Sequence, residues 1–189
     1  DAYGRTCTRT GATPGGQGAW GFDGTDDYLT VPASVDWNFT ADFTIAVWAN
    51  FDSVNRNLVK SVSNQDWNSA TTSDWLLNVG SDAQLYFYRK GGAIAVSQAN
   101  LVVAGEWAQL AVTRQAAGGI VTTWKNGIAI ASTAVVGDLG NTQALEIGRA
   151  ETNLDGGFSG RMGEVAIYQR GFSPLELQNL CLATKWRFQ

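Results

Sequence analysis

The 189-residue sequence predicts an all-β fold, a two-sheet antiparallel sandwich with one short C-terminal helix. Three observations carry that expectation. About a dozen short segments alternate apolar and polar residues, with turn signals roughly every 8–12 residues, the spacing of a sandwich or barrel. Nothing in the first 170 or so residues recurs at helical period, which argues against parallel βαβ units. One capping signature, at Ser173, marks a helix near the end.

In chain order, residues 5–10 form an edge strand and Pro14-Gly15-Gly16 the turn after it. Residues 18–22 make a short strand. Asp23-Gly24-Thr25-Asp26-Asp27 is a tight acidic turn, and Tyr28-Leu-Thr-Val31 returns until Pro32 stops it. Residues 42–49 are the clearest strand. Phe43, Ile45 and Val47 share one face and Thr44, Ala46 and Trp48 the other, so a central strand is expected, its second face partly covered or lining a groove. Leu58-Val59 continues it. Residues 61–73 are a long polar loop carrying Trp67.

Trp75-Leu-Leu-Asn-Val79 and Gln84-Leu-Tyr-Phe-Tyr-Arg89 flank a hairpin turn at Gly80-Ser-Asp-Ala83, and residues 94–96 are a short strand. Glu106-Trp107 opens the next strand, with Leu110 and Val112 on one face. Residues 119–125 follow. Asn126-Gly127 is the strongest hairpin signal, because both residues tolerate the positive φ of a type I′ turn. Residues 128–131, 145–147 and 163–168 complete the series. Ser173-Pro174-Leu175-Glu176 then supplies an N-cap, a proline at the first helical position and a glutamate at the third, so residues 174–182 form a helix of one to two turns held on the sandwich by its leucines. No repeat or linker is visible, and one domain is expected to cover residues 1–189.

Composition narrows function. The chain carries a formal net charge of −4, and its 13 Lys and Arg are scattered singly. Phosphate-backbone binding wants converging cations, so nucleic acid is not an expected partner. No run of 18 apolar residues exists, so membrane insertion is not expected either. The chain starts at Asp1 rather than Met, which reads as a processed product or an excised piece. There is no histidine, which removes Ser-His-Asp and Cys-His nucleophile activation and His-ligated zinc. Carboxylate chemistry survives that loss, since a glycosidase needs two suitably spaced acids. Glu176 is engaged in capping and Glu106 is expected to be exposed. Glu146 and Glu164 each flank a core residue and could share one outer face, most simply as a solvated or salt-bridged surface. No catalytic residue is assigned, and no enzyme activity is expected.

The remaining candidates are binding groups. Asp23, Asp26 and Asp27 crowd one turn. Hard oxygens there suit Ca²⁺, while the plainer alternative is an Asx-type turn in which the side chains cap their own backbone. Trp67 lies among Asn64, Asp66 and Asn68, a ring with amide and carboxylate neighbours that could serve as a sugar platform or protein anchor, or could fold back on the sheet. Tyr86 and Tyr88 point the same way along their strand and could line a concave face. Trp20, Trp48, Trp107 and Trp124 are most simply structural. Cys7 and Cys181 lie near the two ends. If the terminal strands lie side by side, a bridge closes a loop of about 175 residues, worth roughly 5 kcal/mol in the loop-entropy model. Two unbridged thiols are the equal alternative.

Several of these segments carry a resemblance. Phe22-Asp-Gly-Thr-Asp-Asp-Tyr-Leu-Thr-Val-Pro32, Asp42-Phe-Thr-Ile-Ala-Val-Trp48, Glu106-Trp-Ala-Gln-Leu-Ala-Val-Thr113, Trp124-Lys-Asn-Gly127, Leu145-Glu-Ile-Gly-Arg149 and the closing Gly160 to Pro174 stretch resemble, in order, concanavalin A-like, laminin-G-like jelly-roll domains. That resemblance implies a jelly roll used for extracellular adhesion, glycan recognition or structure. It implies calcium in many members and hydrolase or lyase activity in some. The clustered acidic strand of the hydrolases is not matched. The acidic residue that usually precedes the glutamate of the closing strand is Gly163 here, which weakens the case for calcium. The opening Asp1-Ala-Tyr-Gly-Arg-Thr6, with Ser34-Val-Asp-Trp-Asn-Phe39 and Asp74-Trp75, is similar to such domains in tail, fibre and head proteins of bacterial viruses.

The expectation is therefore a non-catalytic structural or decoration module of a virion. A secreted lectin-like or adhesion domain is the alternative, and a carboxylate glycosidase or lyase ranks third. Partners would be other virion or surface proteins, glycans, or further copies of the chain. The location would be a virion or the extracellular space.

Overall fold

The computed structural model describes residues 6–54, 56–61, 74–89, 92–115, 119–134, 139, 142–149 and 157–188. Its strands are β1 (Thr8–Thr10), β2 (Thr13–Pro14), β3 (Trp20–Asp23), β4 (Tyr28–Val31), β5 (Phe43–Phe51), β6 (Arg56–Ser61) and β7 (Trp75–Val79), then β8 (Leu85–Arg89), β9 (Gly92–Val96), β10 (Trp107–Gln115), β11 (Ile120–Lys125), β12 (Ile128–Ala134), β13 (Leu145–Ile147) and β14 (Ser159–Tyr168). They form two seven-stranded antiparallel sheets. The first runs β1-β4-β13-β6-β7-β8-β9 and the second β12-β11-β10-β5-β14-β3-β2. This is the two-sheet sandwich expected from the alternation, in the jelly-roll form that the resemblance implies.

The core lies between the sheets. β5 sends Phe43, Ile45, Val47, Ala49 and Phe51 into it, all fully buried. Aromatic rings from both layers meet there: Phe39 stacks on Phe43 at 4.4 Å, and Phe87 lies 5.4 Å from Phe43 and 6.1 Å from Trp75. Offset and tilted pairs of this kind add to simple area burial. Asn126 and Gly127 both take positive φ, 52° and 77°, as the β11–β12 hairpin requires.

The helix is longer than the sequence indicates. α1 spans Pro174–Lys185 and continues as a 3-10 turn over Trp186–Phe188. Its capping box is complete: the Ser173 hydroxyl accepts from the Glu176 N–H at 3.3 Å, and the Glu176 carboxylate accepts from the Ser173 N–H at 2.8 Å. α1 lies on the outer face of the second sheet. Leu177 packs with Ala46, Ala111, Trp124 and Phe172, and Cys181 and Phe188 pack with Trp48. This explains the double-sided burial of β5: its second face is the seat of the helix. Gly163 has a steric role there, since a Cβ on it would stand 2.3 Å from the Phe188 ring.

Two alternatives left open above are narrowed. Cys7 and Cys181 are both free, Cys7 exposed and Cys181 buried. Cys7 precedes β1 at the edge of the first sheet, whereas Cys181 lies on the buried side of α1, behind the second, so the sandwich separates them. Glu146 and Glu164 do not share a face. Glu146 belongs to β13 in the first sheet and Glu164 to β14 in the second, where it pairs with Arg187 at 3.4 Å. No cleft brings them together.

Candidate functional site

α1 closes the outer face of the second sheet; on the outer face of the first the central side chains are buried as well, and exposure returns at Tyr86 and Tyr88. Alternation along β13, β6, β7 and β8 turns Glu146, Lys60, Leu76 and Tyr88 away from the core, in one register row across the sheet. A second row brings Asn57, Asn78 and Tyr86 together.

The middle of this face is a connected polar network. Lys60 Nζ lies 3.3 Å from Glu146 Oε2, and both side chains are almost fully buried, at 1% and 4% exposure. Arg149 Nη1 donates to Glu146 Oε1, and its guanidinium lies 4.5 Å over the Tyr28 ring. The Asn57 amide donates to the Arg149 carbonyl at 3.2 Å, and the Asn78 amide donates to Asn57 Oδ1 at 3.3 Å. Buried charges persist only when compensated; Glu146 is compensated by the Lys60 ion pair and the Arg149 hydrogen bond, while its Oε2 accepts no hydrogen bond. Lys60, Asn57 and Asn78 were not singled out from the sequence. The signal available was the polar residue at an outward position within each apolar strand.

The network ends at a half-buried aromatic pair. The Tyr86 and Tyr88 rings stack with centroids 5.3 Å apart and planes 14° from parallel. The Tyr86 hydroxyl donates to Asp82 at 2.5 Å, across the tip of the β7–β8 hairpin. That bond pushes the Tyr86 hydroxyl up to about 12 and holds Asp82 below its ordinary value. Gly80 makes the arrangement fit, because a Cβ there would stand 2.7 Å from the Tyr86 ring. The pair is held by its own contacts: two nearly parallel stacked rings with a carboxylate and two phenol groups at the edge. An outer ring face can stack on the C–H face of a sugar while the polar edge bonds hydroxyls. Asn64, Asp66, Trp67 and Asn68 lie outside the described residues.

The acidic turn lies elsewhere, between β3 and β4. One carboxylate oxygen from each of Asp23, Asp26 and Asp27 lies within 4.8 Å of the others. Asp27 accepts from the Asp23 N–H and Asp23 from the Thr25 N–H, each at 2.8 Å. The side chains do cap their own backbone, as the Asx alternative has it. Each carboxylate has a second oxygen, and this all-oxygen donor set fits a hard divalent ion.

Comparisons with known proteins follow the same lines. A family model described as the concanavalin A-like lectin/glucanases superfamily matches residues 23–178. No curated protein sequence matches the chain. Among solved structures, the chain is similar to the binding domain of Paraclostridial Mosquitocidal Protein 1, with a TM-score of 0.73 and 16% identity over 95% of this chain and 47% of that one. The botulinum neurotoxin serotype D binding domain gives 0.74 and 9% over 96% and 47%. Domain 4 of AbnA, a GH43 extracellular arabinanase from Geobacillus stearothermophilus solved with arabinotriose, gives 0.65 and 14% over 93% and 81%. The chain spans about half the length of the toxin binding domains it matches.

Proposed function

We propose, from the premise that the chain belongs to the concanavalin A-like lectin/glucanases superfamily, that it is a non-catalytic, lectin-like binding module that holds glycans at the Tyr86–Tyr88 pair. The observation that carries this reading is the preset ring pair on β8, one strand in from the edge of the first sheet, with Asp82 fixed beside it. The neighbours support it: two are toxin binding domains, and one was solved with an arabinose oligosaccharide. The separation of Glu146 from Glu164 on different sheets supports a non-catalytic role, since glycoside hydrolysis wants two acids across one bond. For the acidic turn we propose calcium, on the hardness of its donors. The setting, a virion or another extracellular surface, is proposed from the likeness of the opening segments to viral domains, and the same contact face serves either.

The test is a broad glycan array followed by calorimetry. Saturable binding should weaken at least about tenfold in Tyr88→Ala, with the near-UV dichroism unchanged. Trp67→Ala tests whether the loop after β6 shares the ligand. No saturable binding across the array would overturn the reading.

A further inference from the structure

The Tyr86–Asp82 couple at one end of the ring pair accepts hydrogen bonds and has no proton left to give. The Tyr86 hydroxyl donates its single proton to Asp82 Oδ2 at 2.5 Å. Asp82 pushes that hydroxyl up to about 12, so the proton stays in place at any ordinary pH. Asp82 Oδ1 accepts from the Gln84 N–H at 3.2 Å. An ionised carboxylate offers about four lone-pair sites, so about two remain open, beside those of the phenol oxygen. Asn78, across the strand from Tyr86, is buried and donates its amide to Asn57. The couple also lacks a cation. Residues 76–88 and 93–106 hold no Lys or Arg. They include the hairpin tip and the segment packed on it, where the Asn100 and Leu101 N–H groups bond the Asp82 and Ala83 carbonyls at 3.0 Å each. Lys125 reaches this segment from the second sheet, and its ammonium donates to the Leu101 carbonyl at 2.6 Å. Hydrogen bonds, that of Tyr86 first, hold the exposed Asp82 carboxyl below its ordinary value, and no cation shares in the effect.

We infer that the Tyr86–Tyr88 site selects neutral sugars, which meet Asp82 and Tyr86 as hydrogen-bond donors, and rejects sugars bearing carboxylate or sulfate; this rests on the glycan-binding role proposed above. A neighbouring pair of sugar hydroxyls has two protons to give to the open acceptor sites of Asp82. Bonds to an ionised acceptor are the stronger kind. A uronic acid or sulfate ester group offers no proton at neutral pH. It brings like charge toward Asp82, and it loses water without gaining a donor from the couple in return. Selectivity therefore comes from the carboxylate, while the ring face supplies a sequence of C–H contacts common to many sugars. Asp82→Asn isolates the carboxylate's part. The amide keeps the shape and still accepts from the Tyr86 hydroxyl, but it removes the charge and adds an N–H donor.

The test prints gluco-, manno- and galacto-oligosaccharides beside the same oligosaccharides with their primary alcohols oxidised to carboxylates, and follows each hit by calorimetry. Each neutral member that binds should do so at least about tenfold tighter than its oxidised twin at low salt. The gap should narrow at about 0.5 M salt, since Asp82 is exposed to screening. Asp82→Asn should close most of the gap by strengthening the oxidised twin, with near-UV dichroism confirming the fold. Twins that bind alike, an oxidised member that binds tighter, or a gap unchanged in Asp82→Asn would overturn the selectivity and leave the glycan site standing. No hit in either series, or hits indifferent to Tyr88→Ala, would overturn the glycan site and the selectivity with it.

Discussion

The indole N–H of Trp48 donates to the Thr184 hydroxyl at 2.8 Å, tying the centre of the second sheet to the last turn of α1. Both residues are buried, and the same hydroxyl donates to the Leu180 carbonyl at 2.8 Å. Replacing Thr184 by Val keeps the shape and removes the acceptor, leaving a buried N–H unsatisfied. The expected cost is about 1–3 kcal/mol in chemical denaturation. Thr184→Ser should recover most of it.

The capping glutamate makes the helix sensitive to acid. The Ser173 N–H, then Arg170 and the Ser173 hydroxyl, hold the Glu176 carboxyl at about 2, well below its ordinary 4.5. A depressed folded-state pKa means the contribution is complete above about 4.5 and lost as pH falls toward 2. Wild type should therefore lose stability across that window more steeply than Glu176→Gln. Parallel slopes for the two in acid melts would contradict the assignment.

Lys60 and Glu146 test how the polar face is held. Lys60→Met removes one of two cations on the buried Glu146 and leaves Arg149 in place, so it is expected to cost less than the about 3–5 kcal/mol of a wholly uncompensated buried charge, read from denaturant midpoints. The double replacement Lys60→Met with Glu146→Leu should cost clearly less than the two single changes added. Additivity would mean the pair does not interact.

The acidic turn offers a test that separates capping from ion binding. Asp23 and Asp27 hold backbone N–H groups, whereas Asp26 is exposed. Millimolar calcium should raise the melting midpoint of wild type, by an amount set by ligand concentration over Kd. Asp26→Asn should abolish that response without lowering the midpoint in chelator. A wild-type midpoint indifferent to calcium would leave the turn as an Asx structure only.

Local chemistry made most of the fold legible. β4, β7 and β13 fall where alternation and the flanking turn residues place them, because each is bounded by a proline, a glycine or an acidic turn within the segment itself. The capping box located the start of α1. Its end was not legible, because the last turns are held by Trp48 and Gly163, which come from β5 and β14. The same limit applies to the candidate site. Tyr86 and Tyr88 stand out by their shared direction on one strand. The burial of Glu146 was missed, since its partner Lys60 arrives from a different strand and the residues between give no sign of the pairing. The fate of the cysteines also depended on the layer each end of the chain joins, which side-chain alternation does not encode.

The seating of Phe188 against Gly163 has a consequence for anyone trimming the polypeptide. Phe188 lies 5.1 Å from the Trp48 ring and 4.7 Å from that of Trp107, capping both near the chain's end. A shortened version that stops at Lys185 would look innocuous on a sequence plot, yet it would wet two indoles and open a notch over the glycine. Its fluorescence would shift to the red, and it would become a sticky, poorly behaved sample.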